Sequence, residues 1–179
     1  MDVIERLGAA GIECFVTGSE AMAVLGIAYR ATNDIDLVLD LDPAEYESRL
    51  RPAFEPAYLV APLLHVGRRW MGSAIRSRGE VFKADFVIRD PDPWGADALR
   101  RAVEVGDPGL GVVRVSTIED LLLAKLEFAD GDLGGLQGRD VLRLLVAYGD
   151  RLDDTYLRRH AAGLGVSALL DEAVRRAAS

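Results

Sequence analysis

A single cysteine, Cys14, leaves no partner for an internal disulfide, which excludes the stapled, loop-rich scaffolds of small secreted chains. Histidine is almost as scarce: His65 and His160 share no metal-ligand spacing, and no Ser/His/Asp or Cys/His arrangement accompanies them. Zinc sites and nucleophilic triads therefore have no visible basis, and His160 within Arg158-Arg159-His160 reads as a surface residue. Long hydrophobic runs are missing too. The apolar runs, such as Leu121 to Ala124, fall far short of the ~20 residues that span a bilayer. Residues 1–10 contain Asp2 and Glu5 and lack a basic start followed by an apolar stretch, so no signal peptide is expected. A cytoplasmic protein with no membrane partner is the plain expectation. Positive charge is in deficit as well. The net charge of −8 argues against a broad nucleic-acid surface. Arg68 and Arg69, Arg76 and Arg78, and Arg100 and Arg101 would make a local basic patch if the fold gathered them near one face, and scattered solvated arginines are the other reading. No repeat or low-complexity tract interrupts the chain.

What is present is ordinary for a globular protein. Half of the 179 residues are hydrophobic and 28% are charged, enough for one domain with a real core and a helical appendage. The pattern predicts a short helix over 3–10, a strand over 12–16, an apolar helix over 20–28, and a second strand containing Ile35, Leu37, Val38 and Leu39. Asp42-Pro43-Ala44-Glu45 reads as an N-cap, a proline at the first helical position and an acid at N3, opening a helix to about Ala53. Residues 54–64 carry no assignment. Trp70 to Ser77 and Glu80 to Ile88 read as two strands joined at Arg78-Gly79. Asp90-Pro91-Asp92-Pro93-Trp94 reads as a turn despite its two acids, followed by a short helix over 95–101 and a hairpin-like pair near 102–105 and 111–115. Ser116-Thr117-Ile118-Glu119 fits a capping box before a helix of about thirteen residues. Gly131 to Gly138, with four glycines in eight residues, reads as a mobile connection. Helices over 139–148, 154–163 and 168–178 follow, with Asp153 and Ser167 as caps of the last two.

One stretch stands out. Val16-Thr17-Gly18-Ser19 ends the first strand in a turn, and Asp34-Ile35-Asp36-Leu37 opens the second strand. Side chains two apart in a strand project from one face, so Asp34 and Asp36 stand side by side. Their repulsion is costly unless a cation offsets it, and magnesium, held by carboxylates and substrate phosphates, is a usual solution. The Gly18-Ser19 turn offers backbone N–H groups and a hydroxyl to a phosphate. Metal-dependent handling of a nucleoside triphosphate is the chemistry these parts suit, with two solvated acids at a strand end as the bland alternative.

An apolar-Gly-Ser turn, fourteen intervening residues and Asp-apolar-Asp-apolar resemble the signature of the nucleotidyltransferase superfamily, whose fold is polymerase-beta-like. Tyr29-Arg30-Ala31-Thr32-Asn33 before the carboxylates looks more like the AbiEii-type branch, which includes many toxins of toxin–antitoxin pairs. The resemblance implies an α/β (α+β) core, a mixed sheet flanked by helices over residues 1–115, with a C-terminal helical bundle over 116–179. It implies transfer of a nucleoside monophosphate from an NTP to an acceptor hydroxyl on an RNA end such as tRNA, a protein or a small molecule, with one or two Mg2+ ions. It also implies an antitoxin partner, or a catalytically silent, partner-regulated binding protein on the same fold.

The resemblance assigns further residues. Asp85, within Phe82-Lys83-Ala84-Asp85-Phe86, takes the place of the third carboxylate of the set with Asp34 and Asp36; an acid paired with Lys83 on a polar strand face is the alternative. Arg30 occupies a position where an arginine recurs, suited to phosphate or to pairing with a nearby acid such as Asp34. Lys125 lies in or beside the apolar stripe Ile118, Leu121, Leu122, Leu126, where lysine is unexpected. It would reach the triphosphate and offset charge developing there, or snorkel from the helix edge. Its setting, Glu119 to Leu126, is close to a recurring motif of the branch. Arg139-Asp140 matches another, although Arg143 stands where a second acid is usual; Asp140 is a site acid by resemblance or a first-turn acid favoured by the helix dipole.

Overall fold

The protein is described here by a computed structural model that covers residues 2–27, 34–79, 82–89 and 91–178. The chain divides into two compact units, Met1–Val115 and Ser116–Ser179.

The first unit is built on a mixed sheet. Its strands are β1 (Glu13–Thr17), β2 (Asp34–Asp40), β3 (Tyr58–Val60), β4 (Leu64–Val66), β5 (Arg69–Arg76), β6 (Lys83–Arg89), β7 (Val103–Asp107) and β8 (Gly111–Val115). Their spatial order is β3-β5-β6-β2-β1-β8-β7, with β4 also paired to β5. β2 and β6 run parallel, as do β1 and β8, while β1–β2, β5–β6 and β7–β8 are antiparallel. Helices α1 (Asp2–Ala9), α2 (Gly18–Val24), α3 (Arg51–Phe54) and α4 (Pro93–Arg101) connect and cover the strands.

Period-two burial fixes which side of β2 is the core side. Ile35, Leu37 and Leu39 are buried while Asp34 and Asp40 are exposed, as alternation requires. An aromatic cluster packs that buried side: Phe54 meets Phe86 edge-on at 5.3 Å and Tyr58 at 5.4 Å. Tyr46 lies across Gly72 of β5, where an added Cβ would fall 2.4 Å from the phenol oxygen. Its hydroxyl donates to the Ala61 carbonyl at 3.0 Å. The cluster holds β5 and β6 in register from behind, which orients the residues of the opposite side.

Local departures from the sequence reading have identifiable causes. Asp42 caps as expected, accepting from the Ala44 N–H at 2.9 Å. The helical run that follows is a 3-10 turn (Pro43–Glu45), a π turn (Tyr46–Leu50) and then α3. Pro52 has no N–H to continue a regular ladder, and the slip into wider turns precedes it. Residues 54–64, left unassigned, supply β3 and the start of β4; strands of three residues carry too little alternation to be seen. Asp92 is the N-cap of α4, accepting from Gly95 N–H at 2.6 Å, while Asp90 lies outside the described residues.

The second unit consists of α5 (Ile118–Phe128), α6 (Leu136–Tyr148), α7 (Asp154–Leu164) and α8 (Ser167–Ala177). Thr117, not Ser116, caps α5: it accepts from the Asp120 N–H at 3.2 Å and donates to the Asp120 carboxylate at 2.7 Å. Helix α6 starts at Leu136, inside the glycine-rich stretch, because Gly138 allows close packing; a Cβ there would sit 2.2 Å from the Leu133 Cα. Asp153 caps α7, accepting from Tyr156 at 2.9 Å, whereas Ser167 is the first residue of α8 and not its cap. His160, expected at the surface, is 4% exposed and packs on Tyr156 at 4.4 Å. The helical period places it one turn after Tyr156, on the buried side of α7.

Candidate functional site

Strand register brings four polar residues into one row across the sheet. Ser73 of β5 is the Cα partner of Asp85 in β6, Asp85 that of Asp36 in β2, and Asp36 that of Thr17 in β1. The adjoining row runs Ile75, Lys83, Asp34. On the other flank lies an apolar row of Met71, Val87, Val38 and Phe15. Paired positions project to one side, so Asp34, Asp36, Lys83 and Asp85 share the face opposite the aromatic cluster. Asp36 and Asp85 stand on neighbouring strands, whose backbones lie about 4.8 Å apart.

The turn after β1 meets this row. Gly18 has φ +65°, a backbone conformation glycine adopts without steric cost. An added Cβ at Gly18 would fall 1.9 Å from the Asp36 Oδ2. The Asp36 carboxylate therefore lies against the Gly18 backbone, a closeness only glycine permits. Ser19 follows in the first turn of α2, so the Gly-Ser turn and the carboxylates belong to one neighbourhood of the first unit.

Lys83 supplies positive charge to this face. Its Nζ donates to the Asp85 Oδ2 at 2.7 Å, with the lysine side chain 38% and the aspartate 23% exposed. The hydrogen bond to Asp85 raises the lysine pKa, partial burial opposes this, and the charges of Asp85, Asp34 and Asp36 add to the rise. The ammonium thus feels all of the carboxylates of the two rows.

Among the described residues, no three His, Cys, Asp or Glu side chains converge closely enough to hold a metal ion as they stand. The donor chemistry nevertheless fits magnesium, which takes one or two carboxylates and completes its shell with waters and substrate phosphates. Asp36 and Asp85 on paired positions, with Asp34 on the same face, are the carboxylates that would supply those oxygens, next to the Gly18 turn.

The other expected residues fall elsewhere. Lys125 and Asp140 are together in the second unit: Lys125 Nζ donates to Asp140 Oδ2 at 2.6 Å and to Gln137 Oε1 at 3.1 Å. The two side chains are 4% and 0% exposed, so the pair is buried between α5 and α6. Arg30 lies outside the described residues. Among the arginines of the suggested basic patch, Arg76 is on the aromatic side of β5, 3.8 Å from Asp2 and 3.3 Å from the Tyr58 hydroxyl, and Arg100 pairs with Asp97. Thr17 and Ser73 were not singled out by the sequence as site residues. Lys83 was expected as the partner of Asp85 on a polar strand face, and that pairing is present.

No family model matches the sequence, and neither does any curated protein. Solved structures do. An antigenic nucleotidyltransferase-like protein from Paracoccidioides brasiliensis is 16% identical, with a TM-score of 0.53 over 97% of this chain and 88% of its own. The antibiotic-resistance factor ANT(2'')-Ia in solution is 17% identical, with a TM-score of 0.55 over 90% of each chain. Its crystal structure with adenylyl-2''-tobramycin gives 13% identity and a TM-score of 0.56 over 91% of this chain and 92% of its own. Mixed sheet, flanking helices and near-complete coverage agree: this chain has a nucleotidyltransferase-like fold.

Proposed function

We propose that the chain is a magnesium-dependent nucleotidyltransferase that moves a nucleoside monophosphate from an NTP to an acceptor hydroxyl. The observation that carries this reading is the pairing of Asp36 with Asp85 on parallel strands, beside a Gly18 turn that only glycine can make. The site belongs to a core of residues 1–115, and 116–179 form a helical subdomain.

In this reading Asp34 and Asp36 would hold the metal, and Asp85 would help to hold it or take the proton of the acceptor hydroxyl. A bound divalent cation supplies Lewis-acid stabilisation of charge developing on the phosphates. Gly18 and Ser19 meet the triphosphate through backbone N–H groups and the serine hydroxyl. The acceptor oxygen forms a bond to the α-phosphorus, the bond to the bridging oxygen breaks, and pyrophosphate leaves. Lys125 and Asp140 remain assigned to the nucleotide by resemblance alone; within the second unit they hold each other. Arg30 remains assigned to phosphate by resemblance.

The acceptor class spans an RNA end, a protein and a small molecule. Net charge −8 favours the last two; of the suggested basic patch, Arg76 lies away from the carboxylate face, whereas Arg69 stands on its side of β5. A toxin of the AbiEii-like kind, held by an antitoxin, extends the reading. A silent or partner-regulated binding protein is favoured by a different observation. Leu59 is 68% and Ile75 40% exposed, and they are cross-strand partners in the row of Lys83 and Asp34. Exposed apolar surface of this kind beside the carboxylate row suits a protein partner.

Calorimetric titration of each nucleoside triphosphate with magnesium into wild-type protein and Asp36→Asn tests the reading. Magnesium-dependent heat in the wild type that is lost in the variant is expected. Absence of binding to all four nucleotides would overturn the enzyme and leave the partner-binding protein.

A further inference from the structure

The chain has only two lysines, Lys83 and Lys125, and draws the rest of its positive side-chain charge from arginine. Lys83 stands in the row of Asp34, one step from the row of Asp36 and Asp85, with its ammonium 2.7 Å from an Asp85 oxygen. An ammonium is a compact charge on a flexible stem, unlike a guanidinium, whose planar fork fixes its geometry. At 38% side-chain exposure the stem has room to swing. It therefore takes up a carboxylate oxygen that a divalent cation would need.

We propose that Lys83 is the resident counter-ion of the carboxylate face, which must leave Asp85 when metal and nucleotide bind together, its ammonium then turning to the triphosphate. The inference rests on the nucleotidyltransferase reading and adds a specificity to it. Metal alone has to displace the ammonium with no compensation. Metal arriving with a triphosphate brings the anion that accepts the displaced charge. The result is positive coupling between the two ligands: each binds more tightly in the presence of the other. Two alternatives weigh less. A structural tie between Lys83 and Asp85 explains the hydrogen bond but not the place of Lys83 directly opposite Asp34, on the face that Asp36 and Asp85 share. A permanent phosphate ligand would not need its Nζ committed to Asp85.

The test is Mn2+ binding, followed by the electron paramagnetic resonance signal of the free ion, with and without α,β-methylene analogues of the four ribonucleoside triphosphates. Wild type, Lys83→Met and Lys83→Arg are compared, with far-UV circular dichroism and thermal melting of each metal-free protein as the check on folding. Lys83→Met is expected to bind Mn2+ alone about tenfold tighter than wild type, the size of effect that removing one nearby, partly solvated charge produces. It should also gain less from nucleotide. Mn2+ should raise its melting temperature more than that of the wild type. Lys83→Arg, which keeps the charge, should bind Mn2+ alone as weakly as the wild type.

If Lys83→Met binds Mn2+ no tighter while the wild type binds it with nucleotide, Lys83 is only a packing partner of Asp85; the inference falls and the enzyme reading stands. Equal tightening in Lys83→Arg also sinks the inference, because charge would not be the cause. Failure of every variant to bind Mn2+ under any condition overturns the inference and the metal-dependent reading together.

Discussion

The two lysines make the same bond in opposite settings. Lys83 meets Asp85 at 2.7 Å on an open sheet face, while Lys125 meets Asp140 at 2.6 Å with almost no exposure. Distance alone would rank them equal. Solvent separates them. The first pair lies in water's reach, where an ion pair contributes little and exchanges readily. The second has given up hydration on both ions, so each depends on the other, and Lys125 also on Gln137, for what water no longer supplies. The open pair is suited to ligand exchange and the buried pair to fixing α5 against α6.

Breaking the buried pair should give the largest effect. Asp140→Ala leaves an ammonium uncompensated in the helical unit, and a loss of about 3–5 kcal/mol is expected by chemical denaturation. Replacing both partners, Lys125→Met with Asp140→Leu, should restore most of that loss, since no charge is then stranded. The corresponding Asp85→Ala on the open face should cost under about 1 kcal/mol while removing magnesium-dependent nucleotide binding. Equal destabilisation by Asp140→Ala and Asp85→Ala would erase the distinction between the two sites.

A smaller perturbation separates geometry from charge on the open side. Gly18→Ala puts a methyl into the Asp36 carboxylate and forces a left-handed backbone on alanine, costing about 1–2 kcal/mol for the backbone alone. Gly26→Ala shares the positive φ, +75°, but faces no atom of the described residues within 4 Å. Both should lower the melting temperature, and only Gly18→Ala should also lose nucleotide binding in calorimetry. Loss of binding in both would mean that backbone strain, rather than the Gly18–Asp36 contact, controls the site.

The sequence conveyed the open site better than the buried pair, for physical reasons. Asp34 and Asp36 announce a shared face because the strand period is two, and Asp85 follows from an acid inside an apolar strand. That Asp36 and Asp85 are direct partners, with Ser73 and Thr17 extending the row, depends on register between strands nearly fifty residues apart in the chain, which no local pattern encodes. Lys125 in an apolar stripe is unexpected, and it does not snorkel from the helix edge but is buried against Asp140. A stripe cannot say whether the compensating acid is a ligand's or the chain's own Asp140. Elements with strong local chemistry, such as the Asp153 cap and the hairpin of β7 and β8, were legible. β3 and β4 were not, because their stability comes from pairing with β5 and from Tyr58 in the aromatic cluster. His160 was misread from its charged neighbours, although its spacing from Tyr156 already placed it inward.

The finest distinction between the two pairs concerns alkaline pH. The hydrogen bond to Asp85 raises the Lys83 pKa in the folded, metal-free protein, with the carboxylates of Asp34 and Asp36 adding to the rise. A raised folded pKa means that the folded state holds the proton more tightly, so this contribution is complete below the unfolded lysine value of about 10.4. It is lost as pH climbs through the higher folded value. Other groups act in the same region. Burial pushes the Cys14 thiol up to about 11 and the Tyr46 phenol up to about 12, so each also withdraws stability as pH rises towards those values. The difference between wild type and Lys83→Met isolates the lysine, since both proteins keep Cys14 and Tyr46. That difference should be under about 1 kcal/mol at neutral pH, as befits a solvated pair, and should shrink as urea denaturation curves are moved above pH 10. A difference that stays constant to the alkaline limit would show that Lys83 stabilises the sheet by packing its stem. The ammonium would then not be the part of the residue that matters on the carboxylate face.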